Sequence, residues 1–145
     1  QIAGLRTSPD ARAKIRGQLH GDVSLLIPRT LPERRVFAAL SLTAGICEEI
    51  AYRGFMLWYL ATLLPVAAAV AVSAAIFGFA HIYLGWSHVL RTGLVGLVLG
   101  VIYVLTGSLW VPIALHAAVD VVSGYAGFAA CAETPAGAGT ENAHR

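Results

Sequence analysis

The chain has 145 residues, of which 57% are apolar and only 12% charged, with a mean hydropathy of +0.71. That balance excludes an ordinary water-soluble domain and a disordered chain, and two cysteines, Cys47 and Cys131, are too few for a disulfide-stapled secreted domain. The net charge of +2 matters less than its placement, because nine of the ten Lys/Arg residues lie outside the apolar stretches or at their ends and only Arg53 lies well inside one.

Residues 1–35 are mixed and punctuated by Pro and Arg, ending in Ile27-Pro28-Arg29-Thr30-Leu31-Pro32-Glu33-Arg34-Arg35. They read as a cytoplasmic juxtamembrane segment with no secretory signal, since Arg6, Asp10, Arg12, Lys14 and Arg16 interrupt any apolar run. The chain begins at Gln1 rather than Met, which leaves room for upstream helices in a longer protein. From Val36 the sequence stays apolar to about Leu64, and Pro65 suits the first turn of a new helix. A first span is therefore expected over 36–63 and a second over 66–84. Gly85-Trp86-Ser87-His88 breaks the pattern, a third span follows over 89–105, and Thr106-Gly107-Ser108 turns the chain into a fourth over 109–128. Residues 131–145 are rich in Gly, Ala and Thr and are expected to form a disordered tail. Gly96 and Gly100 in the third span have the spacing of a close helix-packing face.

The predicted fold is thus all-α, a polytopic transmembrane helix bundle of about four spans occupying residues 36–130. Short connections make the spans alternate in direction. Arg29, Arg34, Arg35, Arg91 and Arg145 then share one side, whereas the opposite turns carry no charge. The positive-inside bias places both ends of this chain in the cytoplasm.

Six ionisable residues nevertheless fall within the apolar runs: Glu48, Glu49 and Arg53 in the first span, His81 in the second, and His116 with Asp120 in the fourth. Charged groups are costly at bilayer depth, so six of them on three helices point to a shared interior site. Glu49 and Arg53 are i,i+4 neighbours, as are His116 and Asp120, so each pair shares a helical face. Glu48 and His81 each lie roughly 25 Å from the Leu64-Pro65 turn at 1.5 Å per residue, so antiparallel helices bring them level. The same count from Gly107 puts Asp120 roughly 20 Å deep and His116 roughly 13 Å, which favours Asp120 as the level partner. A glutamate with a histidine can hold and deprotonate a water, and a second histidine can stabilise the oxyanion formed when that water attacks a carbonyl. This is peptide hydrolysis without a covalent intermediate. Phe77 is expected to pack around His81, Cys47 to be inert packing, and Tyr52, Trp58, Trp86 and Trp110 to pack or anchor at interfaces.

Three motifs carry a family resemblance. Glu48-Glu49-Ile50-Ala51-Tyr52-Arg53 resembles the Glu-Glu-x-x-x-Arg motif of the CPBP family, the CAAX prenyl proteases and bacteriocin-processing enzymes also called the Abi family. Phe77-Gly78-Phe79-Ala80-His81 resembles its Phe-x-x-x-His motif, and His116-Ala117-Ala118-Val119-Asp120 its His-x-x-x-Asn/Asp motif. The resemblance implies an intramembrane endopeptidase in which Glu48 and His81 activate water, His116 and Asp120 form the oxyanion site, and Glu49 with Arg53 supports the first helix. An ionised Asp accepts but cannot donate, so Asp120 either carries a proton or orients His116 instead. The implied partners are membrane lipid and a membrane-tethered peptide or protein substrate, with no nucleic acid. A metal-independent mechanism is favoured, with zinc held by Glu48, His81 and His116 as the alternative: the three are a zinc ligand set in type, but no His-Glu-x-x-His pair is present and a water held by Glu48 and His81 needs no ion. A membrane transporter or proton-relay subunit using the same buried Glu, His and Asp groups is the alternative from another class, and a non-catalytic membrane scaffold a third.

Overall fold

The computed structural model describes Asp10 and residues 27–131. Most of the expected juxtamembrane segment and all but the first residue of the expected disordered tail lie outside the described residues. Among the described residues the regular structure is entirely helical. Helix α1 (Leu31–Glu49) runs on through a π-helical segment (Ile50–Leu57) into a short α2 (Trp58–Ala61). Helix α3 (Val66–Ala80) leads through a 3-10 turn (Ile82–Leu84) to α4 (Trp86–Thr106), and α5 (Trp110–Cys131) closes the bundle.

The ends of these helices follow from local chemistry. Thr30 caps α1, its side chain accepting from the Glu33 N–H, while Glu33 reaches back to accept from the Arg29 N–H at 2.8 Å and the Thr30 hydroxyl at 2.9 Å. This is a capping box shifted by one residue, and Pro32 fits a first turn whose N–H groups have no intrahelical partner. Gly85 at φ 99° and Gly107 at φ 63° make the two sharp turns on either side of α4, in backbone conformations that cost other residues about 1–2 kcal/mol. Gly107 also closes α4, its N–H bonding the Tyr103 carbonyl at 2.8 Å.

The elements pair as α1 with α5 and α3 with α4, with α4 also touching α5 and the π-helical segment resting on α3. Small residues set the closest approaches. A Cβ added at Gly45 would lie 3.1 Å from the Ala117 side chain, and one at Gly78 only 2.6 Å from the Val89 carbonyl oxygen. Gly96 and Gly100 are buried against Phe77 and Val70 of α3, the close face that their spacing predicts.

Two helices, Trp86–Thr106 and Trp110–Ala130, are long and apolar enough to cross a bilayer. Their apolar windows are only 17% and 33% buried, unlike the core helices of a soluble protein. Leu90, Leu105, Trp86 and Trp110 are among many large apolar side chains that point outward, the pattern of a surface solvated by lipid.

Several expected boundaries shift. The first span is not one uninterrupted α-helix, because eight residues from Ile50 to Leu57 adopt i→i+5 geometry. The second ends as an α-helix at Ala80, and His81 is its C-cap rather than an interior residue. Gly85 alone breaks the chain where a four-residue loop is expected, since Trp86, Ser87 and His88 already belong to α4.

Candidate active site

The site begins where α1 gives way to the π-helical segment. The wider turn leaves Glu49 and Arg53 both facing inward, with exposures of 0% and 2%. Such a charge would be very costly alone, and each has a partner. The Arg53 Nη1 donates to Glu49 Oε1 at 2.7 Å and its Nη2 to the Gly96 carbonyl at 2.9 Å. The guanidinium also lies 4.8 Å from the centre of the Phe77 ring. Gly96 thus does two things: without a Cβ it admits Phe77 and Arg53, and its carbonyl fixes the guanidinium across helices.

Glu49 Oε1 accepts a second bond, from His116 Nδ1 at 2.7 Å. A carboxylate can only accept here, so the Nδ1 proton is on His116 and its Nε2 faces the other way. His81 is fixed by the same logic. Its Nδ1 lies 2.8 Å from the Phe77 carbonyl oxygen, which can only accept, so Nδ1 carries a proton and, in the neutral ring, Nε2 presents a lone pair. The bond also satisfies a carbonyl at the end of α3 that has no helical partner, which is why the helix stops at this residue.

Both Nε2 atoms converge on one oxygen. Glu48 Oε2 lies 3.9 Å from His81 Nε2 and 3.8 Å from His116 Nε2. It is enclosed and makes no hydrogen bond to protein, although the side chain as a whole is about a third exposed, at 32%. The separations are too long for direct hydrogen bonds. Asp120 Oδ2 stands 3.7 Å from the same His116 Nε2 that faces Glu48. Phe77 forms the wall behind the group, its ring 4.7 Å from His81, 5.8 Å from His116 and edge-on to Tyr52 at 4.9 Å.

The structure therefore brings together Glu48, Glu49, Arg53, His81, His116 and Asp120. On α5 both His116 and Asp120 reach the group, His116 beside Glu48 and Asp120 beside the same His116 nitrogen. A π-helical turn holds more residues per unit length than an α-helix, so Glu48 lies closer to the Leu64-Pro65 turn than a uniform rise implies. Glu49 is also more than a support for the first helix, since it holds the His116 ring. Cys47, beside Glu48, is exposed and lies outside this cluster of contacts.

Two contributors escape the sequence reading. The Gly96 carbonyl carries no side-chain signal, and Ser73 on α3 binds the π-helical segment through its hydroxyl, which donates to the Tyr52 carbonyl at 3.2 Å. Tyr83, in the 3-10 turn, stacks over His81 at 6.0 Å and 25° at the exposed edge of the site.

Among the described residues no three His, Cys, Asp or Glu side chains are disposed to hold a metal ion. The His116 Nδ1 is occupied by Glu49, and Glu48 Oε2 is the one oxygen that both Nε2 atoms approach. Zinc in such a place would need ligand atoms at about 2.0–2.2 Å from a common centre, a set these residues do not form.

The helical, outwardly apolar chain and its glutamate–histidine cluster agree with the comparison to known families. No curated protein and no solved structure matches the chain. A family model described as Type II CAAX prenyl endopeptidase Rce1-like matches residues 32–122, which span every site residue above. On that match over more than half its length, the chain belongs to the Rce1-like family of type II CAAX prenyl endopeptidases.

Proposed function

We propose that this protein is an intramembrane endopeptidase that hydrolyses peptide bonds of membrane-tethered substrates through a water held by Glu48 and His81. One observation carries the reading: Glu48 Oε2, buried and without a protein partner, lies between two imidazole nitrogens at 3.9 and 3.8 Å. A water there donates one proton to the Glu48 carboxylate and the other to the His81 Nε2 lone pair. Its own lone pair is then free to attack a carbonyl.

Glu48 takes the proton as the tetrahedral intermediate forms and passes it to the departing amine, so the products are a carboxylic acid and an amine. His116 faces the same space and stabilises the oxyanion once its Nε2 carries a proton, with the carboxylates of Glu49 and Asp120 beside it to offset the imidazolium charge. Asp120 orients this ring. Glu49 and Arg53 are positioning residues: they fix His116 and the end of α1 and touch no substrate in this scheme.

The chemistry needs no metal, and the ligand geometry described above is what supports that part of the proposal. Four membrane-crossing rods are assigned to 36–61, 66–84, 86–106 and 110–131, with both ends of this chain cytoplasmic, a placement that the arginine distribution supports. The π-helical segment is admissible at bilayer depth because its backbone hydrogen bonds are still made within the helix. The family acts on membrane-associated prenylated proteins, and a substrate of that class is assigned to this chain.

The test is cleavage of prenylated and otherwise lipid-anchored peptides in defined bilayers. Glu48→Gln should lower the rate by about 10²–10⁴-fold while leaving insertion and thermal stability unchanged. Ion or solute flux that is lost in Glu48→Gln, with no cleavage by the unaltered chain, would assign the same groups to transport instead.

A further inference from the structure

We propose that the groove between the start of α1 and the second half of α5 binds the headgroup of an anionic phospholipid. This rests on the membrane placement of the helices and is independent of the peptidase reading. The groove has a volume of about 300 Å³, with Leu31, Phe37 and Val121 among its apolar walls and Arg34, Arg35 and Tyr125 among its polar ones. It lies at the end of α1 where the chain passes from its Pro/Arg-rich segment into the apolar run.

The two guanidiniums differ in a useful way. That of Arg34 lies 4.4 Å from the centre of the Tyr125 ring and 4.8 Å from that of Phe128, which holds it in place without using its in-plane N–H groups. Arg35 is exposed beside it. Neither pairs with a carboxylate among the described residues, and Glu33, the nearest acid in sequence, is spent on the Arg29 N–H and the Thr30 hydroxyl. A preorganised guanidinium fork and a second cation suit a phosphodiester oxygen pair. The apolar walls suit the glycerol and first methylenes of a lipid, which a free anion lacks. Basic pockets between membrane helices at the cytoplasmic boundary bind such headgroups. Val121, in the groove wall, directly follows Asp120 of the candidate site, so an occupied groove braces the α1–α5 pair that carries Glu48, His116 and Asp120.

The full chain in neutral detergent is titrated with dioleoylphosphatidylglycerol or dioleoylphosphatidylcholine, and retained lipid is counted by native mass spectrometry. Phosphatidylglycerol should bind about tenfold to thirtyfold more tightly. Arg34→Gln with Arg35→Gln should abolish that preference, Arg35→Gln alone should reduce it by about fivefold, and Arg91→Gln should leave it intact. Arg35 is exposed, so its single variant keeps the test valid if replacing the stacked Arg34 impairs folding. Equal affinity for the two lipids, or an equal loss in Arg91→Gln, would overturn the proposal. Displacement of the lipid by soluble glycerol phosphate would make the groove a free-anion site, and displacement by a prenylated peptide would make it a substrate site; either result would also overturn it.

Discussion

Arg53→Met is the perturbation whose cost the structure defines most closely. The side chain is 2% exposed and makes two charge-assisted hydrogen bonds, to Glu49 at 2.7 Å and to the Gly96 carbonyl at 2.9 Å. Methionine fills similar space against Phe77 but leaves Glu49, at 0% exposure, with only the His116 N–H to offset its charge. Breaking one side of a buried pair costs about 3–5 kcal/mol, chiefly through the charge left behind rather than the attraction lost. Glu49→Gln alone strands Arg53 in the same way, whereas the double variant removes both charges and retains an amide oxygen that accepts from His116. The double variant should therefore be more stable than either single one, with a coupling of at least about 2 kcal/mol. Reversible unfolding in mixed micelles across the four proteins measures this directly. Losses that simply add, within about 0.5 kcal/mol, would show that the two charges are independent and would refute the description of the buried ion pair.

Three further outcomes are expected. Gly78→Ala should destabilise the chain by about 1–3 kcal/mol, because the new methyl meets the Val89 carbonyl at 2.6 Å, while Gly93→Ala, whose nearest neighbour is 3.6 Å away, should cost much less in the same unfolding assay. The Arg29 N–H and the Thr30 hydroxyl hold the Glu33 carboxyl below its ordinary range. Its stabilisation of the α1 start is therefore complete above the ordinary glutamate pKa and fades as pH falls through the depressed folded-state value, seen as faster amide exchange in that first turn. Glu33→Gln should remove this pH dependence. Exhaustive removal of bound metal should leave peptide cleavage intact, and loss restored specifically by zinc would contradict the proposed water mechanism.

The residues that converge on the site were legible because ionisable side chains stand out in apolar runs, where each needs a reason to be present. The depth count placed Glu48 level with His81 because both are referred to one turn, and errors along the two helices partly cancel. The same count leaves His116 short of Glu48, whose side chain it nevertheless approaches at 3.8 Å, since His116 is referred to a different turn and the π-helical segment shortens the rod that carries Glu48. The π turn itself has no mark in the sequence. It depends on contacts from other elements, including Ser73 reaching the Tyr52 carbonyl and Arg53 reaching Gly96, which lie 21 and 43 residues away along the chain. His81 read as an interior helical residue because its side chain caps the helix through a backbone carbonyl, a role that periodicity does not reveal. The Gly96 and Gly100 face was readable for the opposite reason, as its signal is local spacing.

The central claim is tested most directly by an experimental density map of the chain in lipid, fine enough to show individual waters. The account predicts one ordered water within hydrogen-bond reach of both Glu48 Oε2 and His81 Nε2, with His116 Nε2 facing the same space. A Glu48 carboxylate bonded directly to an imidazole, turned toward lipid, or bound to a metal ion would contradict it.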